Sequence, residues 1–116
     1  MLNFTGSLKI YVATDPADLR KSFNGLYALT VNVLKGDPQS GALFVFCNKR
    51  RNRVKVLYWD GTGLWVLNKR LEKGTFAWPK GVKVKNGKLP LRPEALALLL
   101  DGVDLRGGSL RPWYQR

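Results

Sequence analysis

The stretch Lys49–Pro79, KRRNRVKVLYWDGTGLWVLNKRLEKGTFAWP, decides how this chain folds. Arg53–Trp59 and Leu64–Arg70 are two strand-length runs of Val, Leu and aromatic residues, and Asp60-Gly61-Thr62-Gly63 separates them, so they read as a β-hairpin. With either Asp60-Gly61 or Gly61-Thr62 at the centre of the turn, the registers differ by two residues and the faces stay the same. Arg53, Lys55, Leu57 and Trp59 then share a face with Leu64, Val66, Asn68 and Arg70, and Val54, Val56 and Tyr58 share the other with Trp65, Leu67 and Lys69. A three-residue turn would reverse the pairing of faces. In any hairpin register, antiparallel pairing returns Lys69 and Arg70 to the end that carries Lys49, Arg50, Arg51 and Arg53. The stretch therefore predicts a basic rim at one end of a sheet, with Lys73 just beyond it.

Upstream, Ala42–Cys47 (ALFVFC) is an unbroken apolar run of strand length, as expected of a strand covered on both faces. Leu8–Ala13 alternates Leu8, Ile10 and Val12 with Lys9, Tyr11 and Ala13, which predicts a first strand with one buried face. Between them Asp15 as N-cap, Pro16 at N1 and Asp18 at N3 predict a long helix over Pro16–Lys35 with Gly36 at its C-terminal stop. Its buried stripe is expected to be Leu19, Phe23, Leu26, Tyr27, Thr30, Val33 and Leu34. Gly25, inside that helix, predicts a close approach by another backbone or a functional contact. Arg20 and Lys21 are candidate phosphate ligands on its first turns.

Downstream, Thr75–Trp78 reads as a short strand, and Asn86-Gly87 predicts a hairpin between Val82–Lys85 and Lys88–Leu91. A second helix opens at Pro93, in PEALALLLDG, with Leu96, Leu99 and Leu100 toward the core. The expected fold is α+β: an antiparallel sheet of about five strands, one long helix packed on it and a short C-terminal helix. At 116 residues the chain fits one domain, taken as residues 1–106, with 107–116 a flexible basic tail.

Twenty Lys and Arg against eight Asp and Glu give a formal charge of +12, a surplus that points to a polyanionic partner. No run reaches the ~20 apolar residues of a membrane span, and the N-terminus lacks the pattern of a signal peptide, so a cytoplasmic protein is expected. Histidine is absent, which removes histidine ligands and bases. The single cysteine, Cys47, sits in an apolar run and is expected in the core. The eight carboxylates, Asp15, Asp18, Asp37, Asp60, Glu72, Glu94, Asp101 and Asp104, are mostly accounted for as caps, turns and helix ends. No metal, cofactor or catalytic residue is therefore expected. The candidate nucleic-acid-binding residues are Arg20, Lys21, Lys49, Arg50, Arg51, Arg53, Lys55, Lys69, Arg70 and Lys73. Trp59, Trp65, Trp78 and Tyr58 are capable of stacking on bases, although aromatic residues in strands more often fill cores. A histidine-free ribonuclease of the small basic toxin type, with Tyr58 as acid or base, and a protein-only interaction adaptor are the alternatives.

Two segments carry a resemblance. DLRKSFNGL at Asp18–Leu26 resembles the pattern D-M-R-K-G-F-D-G-L, and Asp37–Pro79 resembles D-P-x-S-G-x-L-F-V-F followed by R-R, K, W-D-G-x-G and K-R-L-E-x-G-x-F-x-W-P. Together they are similar to the second-reading-frame (TnpB) accessory proteins of insertion sequence 66 type transposons. Ser22 stands where glycine is usual, Tyr58 where tryptophan is common, and the tail from Gly107 runs past the usual end. The resemblance implies a small accessory protein, encoded beside a separate transposase, that assists movement of a bacterial element, and it supplies no catalytic residues. The function expected is non-enzymatic: binding of transposon-end DNA, the transposase or other products of the same element through the basic rim.

Overall fold

A computed structural model of the chain describes residues 8–79 and 82–102. The 107–116 segment lies outside the described residues. Five strands form one sheet: β1 (Ile10–Ala13), β2 (Leu43–Cys47), β3 (Arg53–Trp59), β4 (Leu64–Arg70) and β5 (Lys88–Pro90), ordered β4-β3-β2-β1-β5. Helix α1 (Phe23–Asn32) connects β1 to β2, and α2 (Pro93–Leu100) follows β5. The architecture is α+β, as expected, but the sheet is mixed. β1 and β2 run parallel, with Ile10 opposite Leu43 and Val12 opposite Val45. A helical crossover returns the chain to the end it left, so the next strand points the same way.

β2 is buried along its whole length because the sheet carries a layer on each face. On the α1 face Phe44, Phe46, Leu57 and Ala13 pack with Leu19, Leu26 and Leu34. On the α2 face Ile10, Val12, Val45, Cys47, Val54 and Val56 pack with Ala95, Leu96, Leu99, Phe76 and Trp78. Burial pushes the Cys47 thiol up to about 12, so it is a core residue rather than a reactive one.

The first helix is shorter than the 16–35 expected, and hydrogen bonding explains why. The Ala17 N–H donates to the Cys47 carbonyl at 2.8 Å, while the Asp18 carboxylate and carbonyl accept the N–H groups of Arg20 (3.0 Å) and Lys21 (3.1 Å). These donors tie residues 15–22 to the end of β2 and into a local turn, and a helix competes poorly with them. Ser22, not Asp15, occupies the N-cap, and its side chain makes no cap bond. Of the expected stripe, Leu19, Leu26, Thr30 and Leu34 are buried and Tyr27 is half-buried, whereas Phe23 and Val33 face solvent. The Thr30 hydroxyl is satisfied by the Leu26 carbonyl at 2.9 Å. At the far end it is Lys35 that takes the left-handed conformation, at φ 54°, and not Gly36. Gly36 is needed for space: a Cβ there would stand 2.8 Å from the Phe44 ring. What approaches Gly25 is the Lys21 side chain, not another backbone.

Two other elements differ. Thr75–Trp78 is not a strand; it crosses the α2 face, burying Phe76 and Trp78, and the Trp78 indole N–H donates to the Ala13 carbonyl at 2.9 Å. Asn86-Gly87 has the positive φ values of a tight hairpin turn, 58° and 67°, yet residues 82–84 form no ladder. β5 pairs with β1 instead, Leu89 lying opposite Val12.

Candidate nucleic-acid interface

The rim is built by a rigid turn between β2 and β3. The Asn48 carboxamide oxygen accepts the N–H groups of Asn52 (3.0 Å) and Arg53 (3.1 Å), and its amide donates to the Asn52 side chain at 2.7 Å. Arg51 takes φ 61° within this turn. Lys49 and Arg50 are thereby held exposed at its tip. Sequence reasoning passed over Asn48 and Asn52; two Asn bracketing a connection of hairpin length are the signal, since Asn side chains substitute for backbone partners in turns.

The hairpin takes the register with Gly61-Thr62 at the centre of the turn, one of the two left open, and its faces are those expected of a two-residue turn. Arg53 lies opposite Arg70, Lys55 opposite Asn68, Leu57 opposite Val66 and Trp59 opposite Leu64. The segment after β4 stays at the rim, because the Leu71 N–H donates to the Asn52 carbonyl at 2.8 Å and the Phe76 N–H to the Arg51 carbonyl at 2.6 Å.

An open groove of about 800 Å³ follows. Its cations are Arg20, Lys49, Arg50, Arg53 and Arg70, against the single carboxylate of Asp18. Ala17, Leu19, Asn48 and Asn52 complete the lining. Arg20 reaches it because the Ala17 bond to Cys47 lays residues 15–22 along this end of the sheet. Its guanidinium forks onto Asp18, with bonds of 2.8–3.2 Å. Hydrogen bonding to Arg20 holds the Asp18 carboxyl down at about 2. Arg70 has a looser acidic neighbour, Glu72, at 3.6 Å.

The other five candidates stand apart from the groove. The Lys55 ammonium donates to the Lys21 carbonyl at 3.0 Å, and Lys21 lines a smaller pocket, of about 280 Å³, beside residues 15–18. Lys69 projects to the α2 face, where it donates to the Leu100 carbonyl at 2.7 Å at the C-terminal end of α2. Arg51 is half-buried, and Lys73 is exposed but outside the groove lining.

The aromatic residues do not join the rim. Trp78 is buried, and Tyr58, Trp59 and Trp65 lie toward the opposite, turn end of the hairpin. The Trp65 indole donates to Asp60 at 2.8 Å, and Asp60 also accepts from the Thr62 N–H and hydroxyl and the Gly63 N–H. Tyr58 lies opposite Trp65, on the other face from Arg53 and Arg70. Among the described residues no three His, Cys, Asp or Glu side chains are grouped to hold a metal ion, and no helix is long and apolar enough to cross a membrane.

The geometry thus defines a small, basic α+β protein whose sheet end carries a cationic groove. The chain belongs to the IS66 Orf2-like family, whose model matches residues 8–109, which marks it as an insertion-sequence accessory protein. It is 43% identical over 104 residues to "Uncharacterized protein y4jC" of Sinorhizobium fredii, covering 90% of this chain and 86% of the relative. It is 35% identical over 106 residues to "Uncharacterized protein y4hO" of the same organism, covering 91% and 90% respectively. No solved structure matches.

Proposed function

We propose that the groove binds the phosphate backbone of the mobile element's own DNA, and that the chain assists transposition by holding this DNA for the separately encoded transposase. It acts as a binding protein, without catalysis of its own.

One observation carries this reading. Arg53 and Arg70 oppose each other on adjacent strands, where like charges destabilise a sheet. A phosphate between the two guanidiniums turns that repulsion into two charge-assisted contacts. Lys49, Arg50 and Arg20 extend the cationic surface from the same end, so consecutive phosphates have donors to meet. The lining offers no stacked aromatic, so contacts to the backbone dominate over contacts to bases.

Gel shift with element-end DNA against random DNA of equal length tests the proposal. Retardation of DNA at physiological salt is expected. If neither DNA is retarded while an acidic protein product of the element binds the same groove, the chain is a protein-only adaptor and the DNA reading fails.

A further inference from the structure

The sheet has two edges, and they are built differently. β5 is three residues long and contains Lys88 and Pro90, features that blunt an edge against pairing. β4, at the opposite edge, is seven residues long, opens with Leu64-Trp65-Val66-Leu67 and leaves Trp65 41% exposed.

Hydrogen-bond parity shows what this edge presents. The Asp60 N–H donates to the Gly63 carbonyl at 3.1 Å, and the Leu71 N–H to the Asn52 carbonyl at 2.8 Å. Both bonds belong to the β3–β4 register, one beyond each end of the ladder. Because bonded and non-bonded pairs alternate in an antiparallel ladder, Trp65, Leu67 and Lys69 bond to β3. The N–H and C=O groups of Leu64, Val66, Asn68 and Arg70 therefore point away from it. Among the described residues β4 pairs with no other strand.

We propose that this edge is the interface with a second copy of the chain, the two β4 strands pairing antiparallel about a two-fold axis through Leu67. The proposal does not depend on what the groove binds. It rests on the uneven composition of β4, apolar from Leu64 to Leu67 and polar or cationic from Asn68 to Arg70. A parallel copy in register would set Lys69 and Arg70 beside their own equivalents. Centred on Leu67, the antiparallel pairing sets Leu64 against the copy's Arg70, Val66 against its Asn68 and Trp65 against its Lys69. All four outward-facing residues of each strand find partners, and no cation faces a cation. The aliphatic stem of the copy's Lys69 covers the exposed indole of Trp65. The sheet becomes continuous through the two copies, and their Arg70 residues sit about 20 Å apart along the strand direction, with one basic groove toward each end.

Sedimentation of the full chain at ~100 μM tests the association, since a Kd of about 10 μM already gives mostly dimer there. A dimer, twice the 13.1 kDa chain, is expected. Asn68→Pro removes an outward donor while sparing the bonds to β3, so it is expected to give a monomer with unchanged far-UV circular dichroism. Oxidative cross-linking provides a test independent of that variant. Leu67→Cys places two thiols in a directly opposed, non-bonded pair, with Cα atoms about 4.5 Å apart, inside the range of a disulfide. Trp65→Cys places them about 13 Å apart along the strands. The native thiol, 1% exposed, does not compete. Cross-linking of Leu67→Cys and not of Trp65→Cys is expected. A monomeric wild type, a dimer that persists in Asn68→Pro, or cross-linking of Trp65→Cys instead of Leu67→Cys overturns the proposal.

Discussion

Arg53 and Arg70 stand directly opposite each other on β3 and β4, two guanidinium side chains on the same face of one antiparallel pair. Directly opposed like charges cost a sheet about 0.2–1 kcal/mol, so this pair works slightly against the fold that holds it. In the proposed reading the same closeness lets one phosphate meet both guanidiniums.

Removing one of the two charges is therefore expected to affect folding and binding in opposite directions. Arg53→Ala and Arg70→Ala should each leave the thermal midpoint unchanged or slightly raised, while weakening DNA binding and reducing the salt slope by about 1. Calorimetry and a salt titration on the same samples check this. A fall in stability with unchanged binding would mean that the pair serves structure instead.

Asn48 carries no charge, yet it holds the turn that presents Lys49 and Arg50. Asn48→Ala strands two backbone N–H groups and should cost roughly 1–3 kcal/mol in urea unfolding. DNA affinity should fall as well, because the cations lose their fixed placement. Normal affinity in this variant would show that the turn need not be rigid.

Asp60 is held well below the usual carboxylate range, first by the Trp65 indole N–H and then by the Thr62 and Gly63 donors. A depressed folded-state pKa adds stability that is fully present above the unfolded value of about 3.9 and is lost as pH falls through the folded value. The Trp65 indole resonance should therefore hold its position as pH drops past 4 and move only in stronger acid. In Asp60→Ala that resonance should shift at neutral pH. A titration of the wild-type resonance centred near pH 4 would contradict the hydrogen-bonded arrangement.

Gly36 is a steric requirement. A Cβ at this position meets the Phe44 ring at 2.8 Å, and Phe44 is almost fully buried against Leu26 and Leu57. Gly36→Ala should destabilise by about 1–3 kcal/mol, the usual cost of overpacking, measured as a lower denaturation midpoint. Relief of that loss by Phe44→Leu in the double mutant identifies the ring as the cause.

The parts of the fold legible in the sequence are those governed by local periodicity and turn chemistry. The faces of β3 and β4 followed from alternation and a two-residue turn, and antiparallel pairing brought Arg53 and Arg70 to one end; their direct opposition rests on the Gly61-Thr62 register, which alternation leaves open. The full burial of β2 followed from ALFVFC, and the start of α2 from Pro93. What was not legible depended on distant partners. Residues 16–22 look like a helix start, but the Ala17 N–H is claimed by the Cys47 carbonyl, thirty positions away. That contact also brings Arg20 to the groove, while Lys69, the neighbour of Arg70 in the basic run, is drawn to the end of α2. The parallel pairing of β1 with β2 was missed for the same reason: alternation gives faces, not strand direction.

The salt dependence of DNA binding tests the account most directly. With about five groove cations contacting duplex phosphates, log K should fall against log salt with a slope near −4.5. The slope should drop when Arg53 or Arg70 is replaced and stay the same when Lys69, tied to Leu100, is replaced. Absence of binding at low salt, a slope near zero, or equal loss from Lys69→Ala and Arg53→Ala would contradict the assignment of the groove.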